Sequence, residues 1–201
     1  NKAIHYLTLA ANQNHFHAQF ILGNIYYEGK YIKRDINKSL HYFKLAAKYN
    51  NSYALANVGY IYYEGEGIER DINQAIHFFT LSANMHCPES SYILGNIYFD
   101  GKYIKQKINK AIYYYSISAN ANNKLAQHVL GFIYYNAKYI QRDINKVIHY
   151  FTLAAKQNHS DSQYYLGFIY YDAKYIQRDI NKAIHYFTLA AKQNHSDSQY
   201  Y

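Results

Sequence analysis

The sequence predicts an all-α fold, a right-handed α/α solenoid (superhelix) of antiparallel helix pairs. Three observations predict it: a repeat of fixed length, helical apolar spacing within each repeat, and few helix breakers. The pair Leu22-Gly23 returns as Val58-Gly59, Leu94-Gly95, Leu130-Gly131 and Leu166-Gly167, each 36 residues after the last. The tetrapeptide Asn37-Lys38-Ser39-Leu40 has counterparts at Asn1, Asn73, Asn109, Asn145 and Asn181, and residues 139–165 match 175–201 except for Val147 against Ala183. Repetition at this period marks modules that bury their apolar faces only by stacking on neighbours. One Pro and nine Gly leave long stretches free to run as helix.

Within a repeat, Ala18, Leu22, Gly23, Ile25 and Tyr26 share one face at about 100° per residue. Gly29, Gly65 and Gly101 follow this first helix, where a helix end wants a residue that tolerates positive φ. Ala137 and Ala173 stand there in the last two repeats, so those ends are expected to turn differently or to carry strain. A short polar link leads to Asp35, Asp71, Asp143 or Asp179, each suited to cap a second helix. First helices are predicted near 16–28, 52–64, 88–100, 124–136 and 160–172. Second helices are predicted near 1–12, 36–49, 72–85, 108–121, 144–157 and 180–193. Pro88 suits a first turn, and Ser160 with Gln163 has capping-box spacing. Gly23 facing Ser39, Ala75 and their equivalents lets helix axes approach to about 8 Å, with Tyr26 and Tyr42 filling the gaps beside them.

The whole of 1–201 is therefore one expected array: a half repeat at 1–15, repeats at 16–51, 52–87, 88–123, 124–159 and 160–195, and the start of another at 196–201. Neither end carries a polar capping repeat, and the chain opens mid-helix, so a fragment of a longer protein is expected.

Composition narrows the function. Half of the residues are hydrophobic, with 28 Tyr and 10 Phe, which excludes a disordered chain. No apolar run approaches the roughly 18 residues of a membrane span. The net charge of +8 favours acidic partners. The lone Cys87 excludes an intrachain disulfide and fits a reducing compartment, so the cytoplasm is the expected location.

The repeat resembles the Sel-one-like repeat, a longer relative of the tetratricopeptide repeat. The second repeat carries the resemblance as Ala54, Val58-Gly59, Tyr62, Gly65, Gly67, Asp71, Ala75, Phe78-Phe79 and Ser82-Ala83. The likeness extends over essentially all of the chain. Departures are Lys107 in place of the Asp, Ala137 and Ala173 in place of Gly, and Phe or Tyr where the family often has Trp. The pentatricopeptide RNA-binding repeat lacks this Leu-Gly and Ala-Ala arrangement. The resemblance implies a non-enzymatic scaffold or adaptor, since such repeats serve signalling complexes, membrane-protein quality control and host–microbe contacts.

With the repeat Gly set at zero, positions −3, +1, +4 and +5 fall at roughly 40–140°, away from the buried arc. In tetratricopeptide-like solenoids this face lines the concave surface. Here it holds Phe20, Ala56, Tyr92, His128 and Tyr164 at −3, and Asn24, Tyr60, Asn96, Phe132 and Phe168 at +1. Position +4 holds Tyr27, Tyr63, Phe99, Tyr135 and Tyr171, and position +5 holds Glu28, Glu64, Asp100, Asn136 and Asp172. Exposed aromatics with an acidic edge suit a protein or peptide segment. Asn24 and Asn96 would bond its backbone, and the carboxylates would select Lys or Arg. The bland alternative is that these rings pack on one another between repeats.

Lys30, Lys33, Arg34, Lys102, Lys105, Lys107, Lys138, Arg142, Lys174 and Arg178 fall in the links. A stripe of this kind would bind RNA or anionic lipid through phosphates, but Asp residues and Glu69 interrupt it. A solvated edge is expected, with nucleic acid not the partner. His5, His41, His77, His149 and His185 form a column on the convex side, about 10 Å apart, too far to share a metal. His159-Ser160-Asp161 are neighbours at a helix start and point apart, unlike a triad. Cys87 beside a helix terminus would be somewhat acidified but has no base in view. No catalytic, cofactor or metal site is expected.

Overall fold

The computed structural model describes residues 2–195 and Ser198. Eleven helices and no strand occur among the described residues. In chain order they are α1 Lys2–Asn12, α2 Phe16–Glu28, α3 Ile36–Ala47, α4 Ser52–Glu64, α5 Ile72–Asn84 and α6 Pro88–Asp100. There follow α7 Ile108–Asn120, α8 Lys124–Asn136, α9 Ile144–Lys156, α10 Ser160–Asp172 and α11 Ile180–Ala191. The even-numbered helices begin and end where the repeat predicts. α1 ends at Asn12 as predicted, and the other odd-numbered helices stop one or two residues sooner. The predicted repeat start at 196–201 lies outside the described residues apart from Ser198, as does Asn1. The chain divides into two compact units, one ending at Leu94 and one beginning at Gly95.

Local chemistry sets the helix starts. Asp35, Asp71, Asp143 and Asp179 each accept from the backbone N–H three residues on, at 2.9–3.1 Å. Lys107 offers no such cap to α7. Asn51 caps α4 by accepting from Ala54 N at 2.8 Å, and Asn123 caps α8. At α10 the cap is His159, whose Nδ1 accepts from Ser162 N at 3.3 Å. The capping box expected of Ser160 and Gln163 does not form: Ser160 is the first helical residue, and Gln163 is buried, donating to Ala155 O. The register is one residue earlier because His159 stands where Asn51 and Asn123 stand in their repeats.

The helix ends follow one rule. Gly29, Gly65, Ala137 and Ala173 all take the left-handed conformation, with φ of 68°, 68°, 53° and 55°. The alanines thus make the glycine turn rather than a different one, and carry its strain. Link Arg side chains close the same ends: Nε of Arg34, Arg70 and Arg142 donates to the carbonyls of Tyr27, Tyr63 and Tyr135, each at 2.9 Å. A cation on unpaired C-terminal carbonyls is electrostatically favoured. Asn14, Asn50, His86, Asn122, Asn158 and Asn194, also at positive φ, turn each second helix into the next repeat.

The core differs from the small-against-small contact expected. Each repeat Gly faces an aromatic ring. A Cβ built on Gly23 would lie 2.6 Å from Phe43, and one on Gly131 2.6 Å from Phe151. Ser39, opposite Gly23, instead donates its hydroxyl to the Gly23 carbonyl at 2.8 Å. Phe43, Phe79, Tyr115, Phe151 and Phe187 are therefore the largest buried groups of their repeats. The outer aromatics pair off beside them: Tyr26 stacks on Tyr42 and Tyr62 on Phe78 in the first unit, Tyr134 on Tyr150 and Tyr170 on Tyr186 in the second.

Candidate protein-binding surface

The predicted arc runs along α2 and α4 in the first unit and along α8 and α10 in the second. In the first unit it encloses a hollow of about 360 Å³ lined by Asn24, Tyr27, Glu28, Phe43, Asn57 and Tyr60. Phe43 is its floor, pinned under Gly23. Tyr60 is 42% exposed and stands edge-on to Tyr63 and Phe79. Glu28 and Glu64 are exposed. The carboxamides of Asn24 and Asn57 have no partner among the described residues. Phe20 is half-buried on the Phe43 ring at 5.7 Å, and Tyr92 is also half-buried.

In the second unit the same kind of hollow recurs, about 380 Å³, lined by Phe99, Phe132, Ile133, Asn136, Lys138 and Tyr139. Phe132 is 37% exposed, and Phe99 stands edge-on to Tyr139 at 5.8 Å. Hydrogen bonds from Lys138, foremost, and Gln106 hold the Tyr139 phenol below its ordinary pKa. Asp100 and Asp172 are exposed, while Phe168 is half-buried.

Several residues on the arc are already engaged. Asn96 accepts the Tyr115 hydroxyl at 2.8 Å, so its oxygen serves the core and not a ligand backbone as expected. Tyr135 packs on Tyr165 under the Arg142 guanidinium, and burial, foremost, raises its pKa. Tyr164 stacks on His195 at 4.7 Å, and Arg178 lies over Tyr171. Ring-on-ring packing thus claims part of the row, and the two hollows lie open beside it. Phe43, Asn57, Ile133, Lys138 and Tyr139 join them from outside the predicted columns. Asn57 sits two before the repeat Gly, at an angle close to the buried arc, and Lys138 and Tyr139 come from a link.

The basic links are largely spent internally. Arg34 is paired with Glu66 through both terminal nitrogens. Arg142 reaches Tyr175, and Lys30, Lys102, Lys138 and Lys174 each lie over the Tyr that follows them. A shallower hollow of about 640 Å³ lies by the link of the second repeat, lined by Glu69, Arg70 and Asp71 among others. There Asp71 caps α5 and Arg70 closes α4.

Of the residues that look chemical, His5, His41, His77, His149 and His185 are exposed. No group of three or more metal-ligating side chains occurs among the described residues. Cys87 is buried and its thiol donates to Glu89 at 3.4 Å. The packing brings one cluster together that the sequence does not show. His128 stacks on His159 at 4.4 Å, and the Ser162 hydroxyl bridges their Nδ1 atoms at 3.0 and 3.2 Å. Burial, foremost, and His159 lower the His128 pKa to about 4; burial likewise lowers His159. Ser162 itself is fully buried, which removes it as a nucleophile.

No helix among the described residues is long and apolar enough to cross a membrane. No curated protein sequence matches the chain. Among solved structures it is similar to c5321, a protective antigen of uropathogenic Escherichia coli displaying an SLR fold, at 27% identity and TM-score 0.85. That match covers 98% of this chain but 42% of the antigen. A Sel1 repeat protein from Oxalobacter formigenes matches at 23% identity and TM-score 0.78, over 97% of this chain and 86% of that one. Immunity protein Pa5087 from Pseudomonas aeruginosa shares the fold at 16% identity and TM-score 0.55, over 95% and 73% of the two chains. The Sel1 repeat family profile matches residues 1–15, 16–50, 52–87, 88–123, 124–159 and 160–195. With six such matches laid nearly end to end, the chain belongs to the Sel1 repeat family.

Proposed function

We propose that this chain is a non-enzymatic scaffold that holds a protein or peptide segment on the first-helix face of its repeats. Sel1 repeat proteins generally mediate protein–protein interaction on a repeat scaffold that is not itself catalytic. The observation that carries the finer reading is the recurrence of an aromatic-walled hollow at the same face of both units. Aromatic anchors in partly formed pockets dominate protein interfaces. The cytoplasm remains the compartment of choice, on the lone cysteine.

Affinity capture with the intact chain tests this. Tyr60→Ala together with Phe132→Ala should lose the captured partner. Tyr6→Ala with Tyr113→Ala, exposed on second helices, should keep it. Retention of every partner by the first pair would refute the groove. RNA binding is the rival outcome, recognised by capture that ribonuclease abolishes and that weakens steeply with salt.

A further inference from the structure

The two hollows are alike in size but not in charge. In the first unit the only ionisable lining groups are Glu28 and two tyrosines. Two cations of that link are already engaged: Arg34 lies over the Tyr27 ring and is held by both oxygens of Glu66, and Lys30 lies over Tyr31. The Glu28 carboxylate has no ion-pair partner among the described residues. Two unpartnered amides, Asn24 and Asn57, border the same hollow. In the second unit Asp100, beside Phe99, holds the place that Glu28 holds beside Tyr27 but does not line the hollow; the lining residues there are Asn136 and the cation Lys138, whose ammonium sits 5.0 Å from the Tyr139 ring. No carboxylate lines that hollow.

Resting on the binding face proposed above, we infer that the hollows select opposite charges. The Glu28 hollow of the first unit takes a Lys or Arg side chain of the partner; the Lys138 hollow of the second takes an Asp or Glu beside an apolar residue. A cation entering between Tyr27 and Tyr60 meets ring faces as well as a carboxylate, and the free amides are placed to bond the backbone that carries it. A carboxylate at the second hollow meets the ammonium and the Asn136 amide. The Phe99 and Phe132 rings cover the neighbouring apolar group. Charge complementarity of this kind sets which side chain each hollow accepts more than how tightly it is held.

The probe is a displayed random-peptide library panned on the intact chain, with selected peptides then synthesised and titrated. Glu28→Lys and Lys138→Glu are the test variants, since both side chains are exposed and neither supports the core. Peptides bearing Lys or Arg should lose about 5-fold in affinity on Glu28→Lys and keep it on Lys138→Glu; peptides bearing Asp or Glu should show the reverse. Both losses should shrink at high salt. If binding survives both charge reversals yet is abolished by Tyr60→Ala with Phe132→Ala, the charge selection is overturned and the binding face stands. If binding survives those aromatic substitutions, or no peptide is selected, the face itself fails and this inference with it.

Discussion

Mild acid should loosen the join between the fourth and fifth repeats, and His128 is the group that makes it so. The ring is half-buried between His159, Phe132, Phe151 and Tyr165, and its Nδ1 is bound to Ser162. Its folded pKa of about 4 lies below the unfolded value of 6.5. The unfolded chain therefore binds the proton first, and stability is lost as pH falls through this window, levelling below about 4. Between pH 7 and pH 5 the loss from this one group is about 2 kcal/mol, rising to about 3 kcal/mol in full. Protonating His159 adds to it, because its Nδ1 is the acceptor that caps α10 and cannot serve as one when charged. Asp161 works against this and Lys124 with it. The clean perturbation is His128→Tyr, since Tyr92 and Tyr164 stand at the equivalent positions. Urea unfolding of both proteins at pH 7 and pH 5 should show the wild type losing about 2 kcal/mol more than the variant, the other histidines cancelling in the difference. Equal pH dependence in the two would refute the argument.

Three further outcomes follow from the packing. Gly131→Ala should cost about 1–3 kcal/mol in urea unfolding, because its Cβ would meet the fully buried Phe151 ring at 2.6 Å. Ala137→Gly and Ala173→Gly should each raise stability by about 0.5–1 kcal/mol, since φ of 53° and 55° suits Gly and strains Ala; an unchanged midpoint would mean the turn is not strained. Gln19→Leu should cost little in thermal unfolding, since it gives up the Gln19 amide bond to an Ala11 carbonyl that also accepts from Asn14 N, whereas Gln163→Leu should cost about 1 kcal/mol. The Gln19 oxygen is buried without a partner, while that of Gln163 accepts from Gln193 at 2.7 Å, and Leu55 already fills the site in the second repeat.

Helix boundaries were legible because each is fixed by a residue or two at a set distance from the repeat Gly. Asp35 and its equivalents cap, and Gly29 and its equivalents stop. Residue type misleads where register decides: Ser160 is a good capping residue in general, but Asn51 and Asn123 point to His159 as the cap. The Asn turn after each second helix was equally available, at 36-residue spacing through Asn14, Asn50, Asn122, Asn158 and Asn194. The binding face was legible only as an arc. Angle places Asn24 and Asn96 alike, yet Tyr115 carries a hydroxyl where Phe43 has none, and that oxygen ties up Asn96. The His128–His159–Ser162 cluster recurs one repeat on as Tyr164–His195–Ser198, and only His128, standing where Tyr92 and Tyr164 stand, adds a second titratable imidazole to it.

The division between what repeats and what varies also bears on how such a surface gains specificity. Gly, the ring beneath it and the Asp cap recur because each is held by a contact at van der Waals or hydrogen-bond distance, and a change there costs stability. The +5 position carries no such constraint. Glu28, Glu64, Asp100, Asn136 and Asp172 are all exposed at the ends of their helices, so an exchange of Glu for Asn removes nothing from the core and, under the charge selection proposed above, would change what an adjoining hollow accepts. The link lysine two residues further on is under similarly weak constraint, lying over a neighbouring ring rather than within the core. A row of nearly identical modules can therefore present unlike sites, and the charge of each site is set by residues that contribute least to folding.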